Sequence, residues 1–305
     1  MANPPIVKQA LQQAQALGLA RIDAQMLLLH VLGRQSGGRA WLLTHDEDML
    51  TAPQADAYAA LCARRLGAEP VAYLLGHKEF YGLDLAVDAR VLDPRPDTET
   101  LVDWALELMP AQTQAGPACR VVDLGTGSGA RALALQSQRP GATVWAVDAS
   151  ADALAVASAN ATRLQLGVQF AHGSWLQPLA GQAPFDLIVS NPPYIRDDDP
   201  HLQALAHEPL SALASGADGL VDIRAIITQA PALLVRGGWL LMEHGWDQAD
   251  AVAALLCHAG FGDVQHRHDL GGIARCTGGQ WQGQARALTW AQQSRMLSKS
   301  APRVK

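Results

Sequence analysis

Apolar residues recur at helical spacing from Ile6 to Gly33, in IVKQALQQAQALGLARIDAQMLLLHVLG, with Gly18 and Gly33 breaking the pattern. A second helical pair is expected around APQADAYAALCARRLGAEP, closed by Gly67 and Pro70. Residues 1–78 therefore predict about four short helices forming a small bundle domain of their own. His30, set among Leu28, Leu29, Val31 and Leu32, reads as a core histidine. From 79 to 95, EFYGLDLAVDARVLDPR alternates apolar and polar positions like a short hairpin, with turns at Gly82 and Asp88-Ala89, and is expected to act as a linker. RPDTETLVDWALELM then opens a helix, since Pro96 suits a first turn and Asp97 or Thr98 can cap it.

Beyond Cys119 the period switches repeatedly between two and 3.6. Strands are expected at Arg120–Leu124, Thr143–Val147, Val168–Ala171, Phe185–Ser190, Gly238–Glu243, Asp263–His268 and, shorter, Ala274–Thr277. Helices are expected at Ala130–Gln138, Ala151–Leu166, Val221–Val235 and Gln248–Ala259. Strand alternating with helix predicts an α/β domain over residues 96–281, a doubly wound, mostly parallel seven-stranded sheet with helices on both faces. Residues 282–305 carry five basic side chains and no carboxylate, and read as a basic tail that is either a loose helix or disordered.

Composition narrows the class. No apolar run reaches the length of a membrane span, and Met1–Pro5 has neither the basic start nor the apolar core of a secretory signal. Cys62, Cys119, Cys257 and Cys276 are scattered, with no metal-ligand spacing, which fits a reduced, cytoplasmic, metal-free protein. The net charge of −6, from 23 basic and 29 acidic residues, argues against nucleic acid as the principal ligand. The run Asp197-Asp198-Asp199 would repel a phosphate backbone and tolerate a basic protein.

VVDLGTGSGA, 121–130, is a buried strand running into a glycine-rich turn and then a helix. Glycines at 125, 127 and 129 permit a sharp bend and close approach of a ligand to the free N–H groups of the helix start. TVWAVDAS ends the next strand on Asp148, placed to accept ribose hydroxyls. The spacing Gly125-x-Gly127-x-Gly129 resembles the first motif of S-adenosylmethionine-dependent methyltransferases. In AHGSWL, Trp175 is a candidate to stack on or wall the adenine.

SNPPYIR, 190–196, follows the apolar run Phe185–Val189. Two prolines end the strand and leave Asn191–Tyr194 as a stiff turn at its C-terminal end. An amide nitrogen is a poor nucleophile, so an enzyme that methylates one must hold the NH₂ with two acceptors and aim its lone pair. The Asn191 side-chain oxygen and the Pro192 carbonyl are candidate acceptors, Pro193 stiffens the turn, and the Tyr194 ring can pack on substrate or favour a sulfonium charge.

Taken together, DAQMLLLHVLG, GHKEFYGLDLAVDARVLDPRPDTETLV, VVDLGTGSGARALAL, FDLIVSNPPYI, HEPLSALASGADGL and LLMEHG resemble the release factor glutamine methyltransferase family, over residues 5 to 281. The resemblance implies methyl transfer from S-adenosylmethionine to the side-chain amide of the glutamine in a GGQ tripeptide of class I peptide release factors, by a monomeric enzyme. It implies cofactor contacts at Gly125, Thr126, Gly127, Ser128, Gly129, Asp148, Trp175 and Asn191, and substrate contacts at Asn191, Pro192, Pro193 and Tyr194. Arg95, Pro96 and Glu99 could order a lid over the pocket. Alternatives are methylation of a ribosomal-protein glutamine or of an exocyclic amino group on a nucleic-acid base.

Two positions depart from the family pattern: Asp93 replaces an aliphatic residue, and Arg131 stands where the loop is commonly followed by Ile, which puts helix packing behind the cofactor in question. Glu243-His244 closes a strand near the cofactor side, whereas His266 and His268 are expected to face solvent. The chain's own Gly278-Gly279-Gln280 reads as a chance match to the target tripeptide.

Overall fold

A computed structural model describes residues 4–34, 38–110 and 118–283. The basic tail expected from 282 lies, from residue 284 on, outside the described residues. The chain divides into two compact units, Met1–Asp93 with Pro200–Leu210, and Pro94–Asp199 with Ser211–Lys305.

The first unit holds five helices: α1 (Val7–Ala16), α2 (Arg21–Val31), α3 (Gly38–Thr44), α4 (Ala52–Leu66) and α5 (Val71–Leu75). Their apolar stripes meet in a core of Ala24, Leu27, Leu28, Leu42, Tyr58, Cys62 and Leu74. Tyr58 buries its ring there and donates its hydroxyl to the Ala24 carbonyl at 3.1 Å. Thr51 caps α4 reciprocally with Gln54, each side chain accepting from the other's backbone N–H. His30, expected in the core, is only half-buried on α2.

The expected hairpin forms as β1 (His77–Phe80) and β2 (Leu83–Ala86), turning through Tyr81 and Gly82, both with positive φ. It belongs to the first unit. So does the segment 200–210, where Glu208 accepts the Asp93 backbone N–H at 3.1 Å and a His207 ring nitrogen lies 2.8 Å from the Gly67 carbonyl. Nothing in the local sequence signals that a stretch so far along the chain joins the helical unit.

The second unit opens with a 3₁₀ turn at Pro96–Thr98 running into α6 (Glu99–Leu108). It continues with β3 (Arg120–Leu124), α7 (Ala130–Gln138), β4 (Thr143–Asp148), α8 (Ala151–Leu164), β5 (Gln169–His172), β6 (Phe185–Ser190), α9 (Val221–Gln229), β7 (Leu234–Glu243), α10 (Ala249–His258), β8 (Phe261–His268) and β9 (Ala274–Trp281). The sheet order is β5-β4-β3-β6-β7-β9-β8, with β9 antiparallel to both neighbours and the other adjacent pairs parallel.

The main departures from expectation have local causes. Helix α8 stops two residues early because Gln165 adopts a left-handed conformation, φ 57°. Helix α9 stops at Gln229 because Pro231 cannot continue it; a 3₁₀ turn over Ala230–Ala232 follows, so β7 starts earlier than expected. Neither Asp97 nor Thr98 caps α6. The Thr98 hydroxyl is committed to Glu243, and Asp97 lies 4.0 Å from the Arg275 guanidinium. His268 is exposed as expected, but His266 is half-buried and 2.9 Å from the Thr277 hydroxyl.

Strand β9 runs to Trp281, so Gly278, Gly279 and Gln280 lie inside the sheet between β7 and β8. A Cβ on Gly278 would come within 2.7 Å of the Trp104 ring and 2.9 Å of the Leu240 carbonyl, and would also meet Leu241. Gly278 is required by packing. Gly278→Ala is expected to lower stability by about 1–3 kcal/mol through overpacking, read as a drop in the midpoint of chemical denaturation.

Candidate active site

The strand order reverses between the parallel neighbours β3 and β6, the place where doubly wound folds open a crevice beyond the C-terminal strand ends. Register makes this specific: Leu124 pairs with Ser190, so Gly125 and Asn191 leave the sheet side by side. The Ser190 hydroxyl donates to the Leu124 carbonyl at 2.9 Å and ties the two strand ends together. A Cβ on Gly125 would stand 3.9 Å from the Asn191 carbonyl oxygen and 3.4 Å from the Trp175 ring. The glycine loop, the Asn191 turn and Trp175 therefore converge on one place.

Gly125 and Gly127 have φ of 65° and 56°, and a Cβ at Gly127 would meet nothing within 4 Å, so the loop leaves open space at Gly127, while the N–H groups of Thr126, Gly127 and Gly129 go to the Val147 carbonyl, the Asp148 carboxylate and the Thr126 carbonyl. Thr126 and Ser128 turn their side chains inward. The Thr126 hydroxyl donates to Asp123 at 2.7 Å, and the Ser128 carbonyl accepts from the buried Asn160 amide at 3.0 Å.

Asp148 ends β4 and is not a helix cap; the Ser150 hydroxyl does that, accepting the Ala153 N–H at 3.1 Å. The Asp148 carboxylate accepts the N–H groups of Gly127 at 2.9 Å and Ser150 at 2.9 Å, one per oxygen, leaving a lone pair on each for ribose hydroxyls. Trp175 sits at φ 49°, a conformation costly for a bulky residue that turns up at binding sites. An open glycine cradle, an acid at the adjacent strand end and an indole beside the loop fit the adenosine part of S-adenosylmethionine.

Behind the loop lies an ion pair that sequence reading did not anticipate. Asp123, fully buried in β3, takes the Arg131 guanidinium at 2.7 Å. Arg131 also donates to the Gly125 carbonyl at 2.6 Å. Burial raises the Asp123 carboxyl above its ordinary value, and Arg131 and Thr126 pull it back. Arg131 thus braces the glycine loop instead of disturbing the helix behind it. The available signal was an acid interrupting the apolar run of β3, which demands a buried partner.

At the neighbouring turn, Pro192 and Pro193 are buried and Asn191 is half-buried. The Asn191 amide nitrogen donates to the Thr98 hydroxyl at 3.2 Å. Thr98 donates to Glu243 at 2.6 Å, and the Tyr194 hydroxyl approaches the other Glu243 oxygen at 3.4 Å. Burial, then Glu243, keep the Tyr194 phenol well above its ordinary value, so it stays neutral. Among Arg95, Pro96 and Glu99, Pro96 opens the turn whose last residue, Thr98, makes the contact. His244 belongs to another network, with ring nitrogens 2.9 Å from the Gly245 carbonyl and 2.6 Å from the Thr277 hydroxyl.

Residues 98–249 match the family model described as Methyltransferase small domain, and residues 6–76 match that described as PrmC N-terminal domain. The chain is 50% identical over 264 residues to the release factor glutamine methyltransferase of Bordetella pertussis, covering 86% of this chain and 95% of that protein. It is 45% identical over 278 residues to the release factor glutamine methyltransferase of Escherichia coli, covering 90% and 97%. Among solved structures, the hMettl16 catalytic domain in complex with MAT2A 3'UTR hairpin 6 aligns with a TM-score of 0.52 at 15% identity, over 77% of this chain and 84% of that one. The delta-N METTL16 MTase domain aligns with a TM-score of 0.51 at 18% identity, over 67% and 90%. At such identities the likeness is one of fold.

Two outcomes are expected. Arg131→Met strands a buried carboxylate and should cost about 3–5 kcal/mol of stability. With its guanidinium gone, Asp123 takes up a proton in the folded state at a pH where the unfolded chain has lost it. Stability of the variant, measured by denaturation across pH, should therefore fall as pH rises out of the acid range. Asp148→Ala should weaken S-adenosylmethionine by about 1.5–3 kcal/mol in calorimetry, whereas a helix cap alone would leave affinity unchanged.

Proposed function

We propose that this chain, which belongs to the release factor glutamine methyltransferase family, uses its Asn191–Tyr194 turn to align the GGQ glutamine amide of class I peptide release factors for methylation. The protein is an S-adenosylmethionine-dependent methyltransferase with a class I α/β fold. The observation that supports this reading is the Leu124–Ser190 register, by which the glycine loop and the Asn191 turn leave the sheet side by side.

S-adenosylmethionine, when bound, supplies an electrophilic methyl group on a sulfonium. The open face of the Gly125–Gly129 loop, the Asp148 carboxylate, Trp175 and Asn191 would hold it. The Asn191 side-chain oxygen and the Pro192 carbonyl accept the two N–H bonds of the substrate amide, which fixes the direction of the nitrogen lone pair. The prolines hold that carbonyl still. Tyr194 directs its hydroxyl toward Glu243 and presents its ring as an apolar wall.

The helical unit, with a core of its own, is the platform that recognises the intact protein substrate. Net charge of −6 and Asp197–Asp199 favour a basic protein over nucleic acid. Among the described residues no helix is long and apolar enough to cross a membrane. The free thiols Cys62, Cys119, Cys257 and Cys276 fit action in a reducing cytoplasm.

Radiolabelled S-adenosylmethionine offered to release factor, ribosomal protein, DNA and rRNA tests the reading. Label is expected in release factor, at the GGQ glutamine. Label confined to nucleic acid or to the ribosomal protein would replace it. With release factor as substrate, Asn191→Ala should lower kcat by roughly 10²–10³ while cofactor affinity changes only a few-fold. A folded variant with normal kcat would remove Asn191 from the alignment.

A further inference from the structure

We propose that Thr98 and Glu243 are positioning residues that decide which end of the Asn191 amide faces the substrate. This rests on the reading of Asn191 as the acceptor for the glutamine NH₂. An asparagine side chain turned by 180° keeps nearly the same shape but exchanges an acceptor for a donor. With the amide reversed, two NH₂ groups would confront each other and the substrate nitrogen would lose a holding contact. A site built on Asn191 therefore needs a device that forbids the flip.

The device is a chain of committed protons. Glu243 ends β7, and the pairing of Ser190 with Met242 brings it alongside Asn191. Its carboxyl group is buried, 2% exposed, and one oxygen accepts the Thr98 hydroxyl proton at 2.6 Å; burial raises the carboxyl above its ordinary value, and the Thr98 and Tyr194 hydrogen bonds, with Arg131 and Arg275, pull it back. Thr98 itself is 3% exposed, so its hydroxyl is shielded from solvent. A hydroxyl has one proton. With that proton given to Glu243, the Thr98 oxygen can only accept, and the atom 3.2 Å away on Asn191 must be the NH₂. The Asn191 oxygen is thereby turned away from Thr98 and has no hydrogen-bond partner among the described residues.

The second Glu243 oxygen receives Tyr194 at 3.4 Å. One carboxylate thus holds both ends of the four-residue turn, Asn191 through Thr98 and Tyr194 directly. Neither Thr98 nor Glu243 has to touch the substrate.

The test compares Thr98→Val, which keeps the shape and removes the hydroxyl, with Thr98→Ser, which keeps the hydroxyl. Full-length protein, S-adenosylmethionine and intact release factor are used, with cofactor affinity and denaturation midpoints measured alongside. T98V is expected to lower kcat by about tenfold to hundredfold with KM and cofactor affinity within about threefold, the pattern of an interaction that matters in the transition state. T98S is expected within about threefold of the parent, and Glu243→Gln, whose amide can offer Thr98 either an oxygen or an NH₂, between the two. In an Asn191→Ala background, T98V should add no further loss, because its effect runs only through Asn191.

Normal kcat in folded T98V, equal losses in T98S and T98V, or additive losses with Asn191→Ala would each overturn the inference. If T98V fails to fold, normal kcat in folded Glu243→Gln overturns it instead. Absence of methyl transfer to release factor by the parent protein would overturn the functional reading and this inference together. A labelled release factor with an unimpaired T98V would overturn this inference alone.

Discussion

The pairing of Leu124 with Ser190 is the constraint on which the site depends. A parallel ladder fixes not only that β3 and β6 are neighbours but where along each the chain leaves the sheet. A slip of one residue would turn every side chain of β6 to the opposite face and move Asn191 along the strand relative to Gly125. The register is enforced from both sides, by the buried aliphatic faces of Val122, Leu124 and Ile188 and by the Ser190 hydroxyl bond to the Leu124 carbonyl.

Around that seam the protein has placed two buried carboxylates, Asp123 below the glycine loop and Glu243 beside the proline turn. Each would be costly alone in an apolar interior. Each is satisfied by groups that also do something for the site: Arg131 joins Asp123 to the Gly125 carbonyl, and Thr98 joins Glu243 to Asn191. The two loops are held from inside by buried hydrogen bonds, where solvent cannot compete.

What could be read from sequence was what leaves a local mark. Strands β3 and β6 and helix α7 have the expected ends because glycine and proline punctuate them at Gly125, Gly129 and Pro192. The glycine loop and Asn191–Tyr194 announced themselves by spacing and by two adjacent prolines. The residues that brace them did not. Thr98 looked like a helix cap, since threonine before a helix usually is one, and its partner Glu243 lies 145 residues away. Arg131 looked like an intrusion because its carboxylate partner sits on the strand before the loop, and nothing local marks the two as a pair. The joining of residues 200–210 to the helical unit is likewise a fact of tertiary contact.

The Gly278-Gly279-Gln280 segment carries a consequence for how a target is defined. It spells the tripeptide proposed as the target, yet its backbone is laddered on both edges, its glycines pack against Trp104 and Phe261, and its glutamine amide is tied to the Gly237 carbonyl at 3.0 Å. To extend such a segment into an active site would mean breaking its pairing with β7 and β8. The same three letters are thus legible in one protein and illegible in another, and the difference is presentation. An enzyme of this kind is spared from modifying itself by the burial of its own strand, with no need for a discriminating contact.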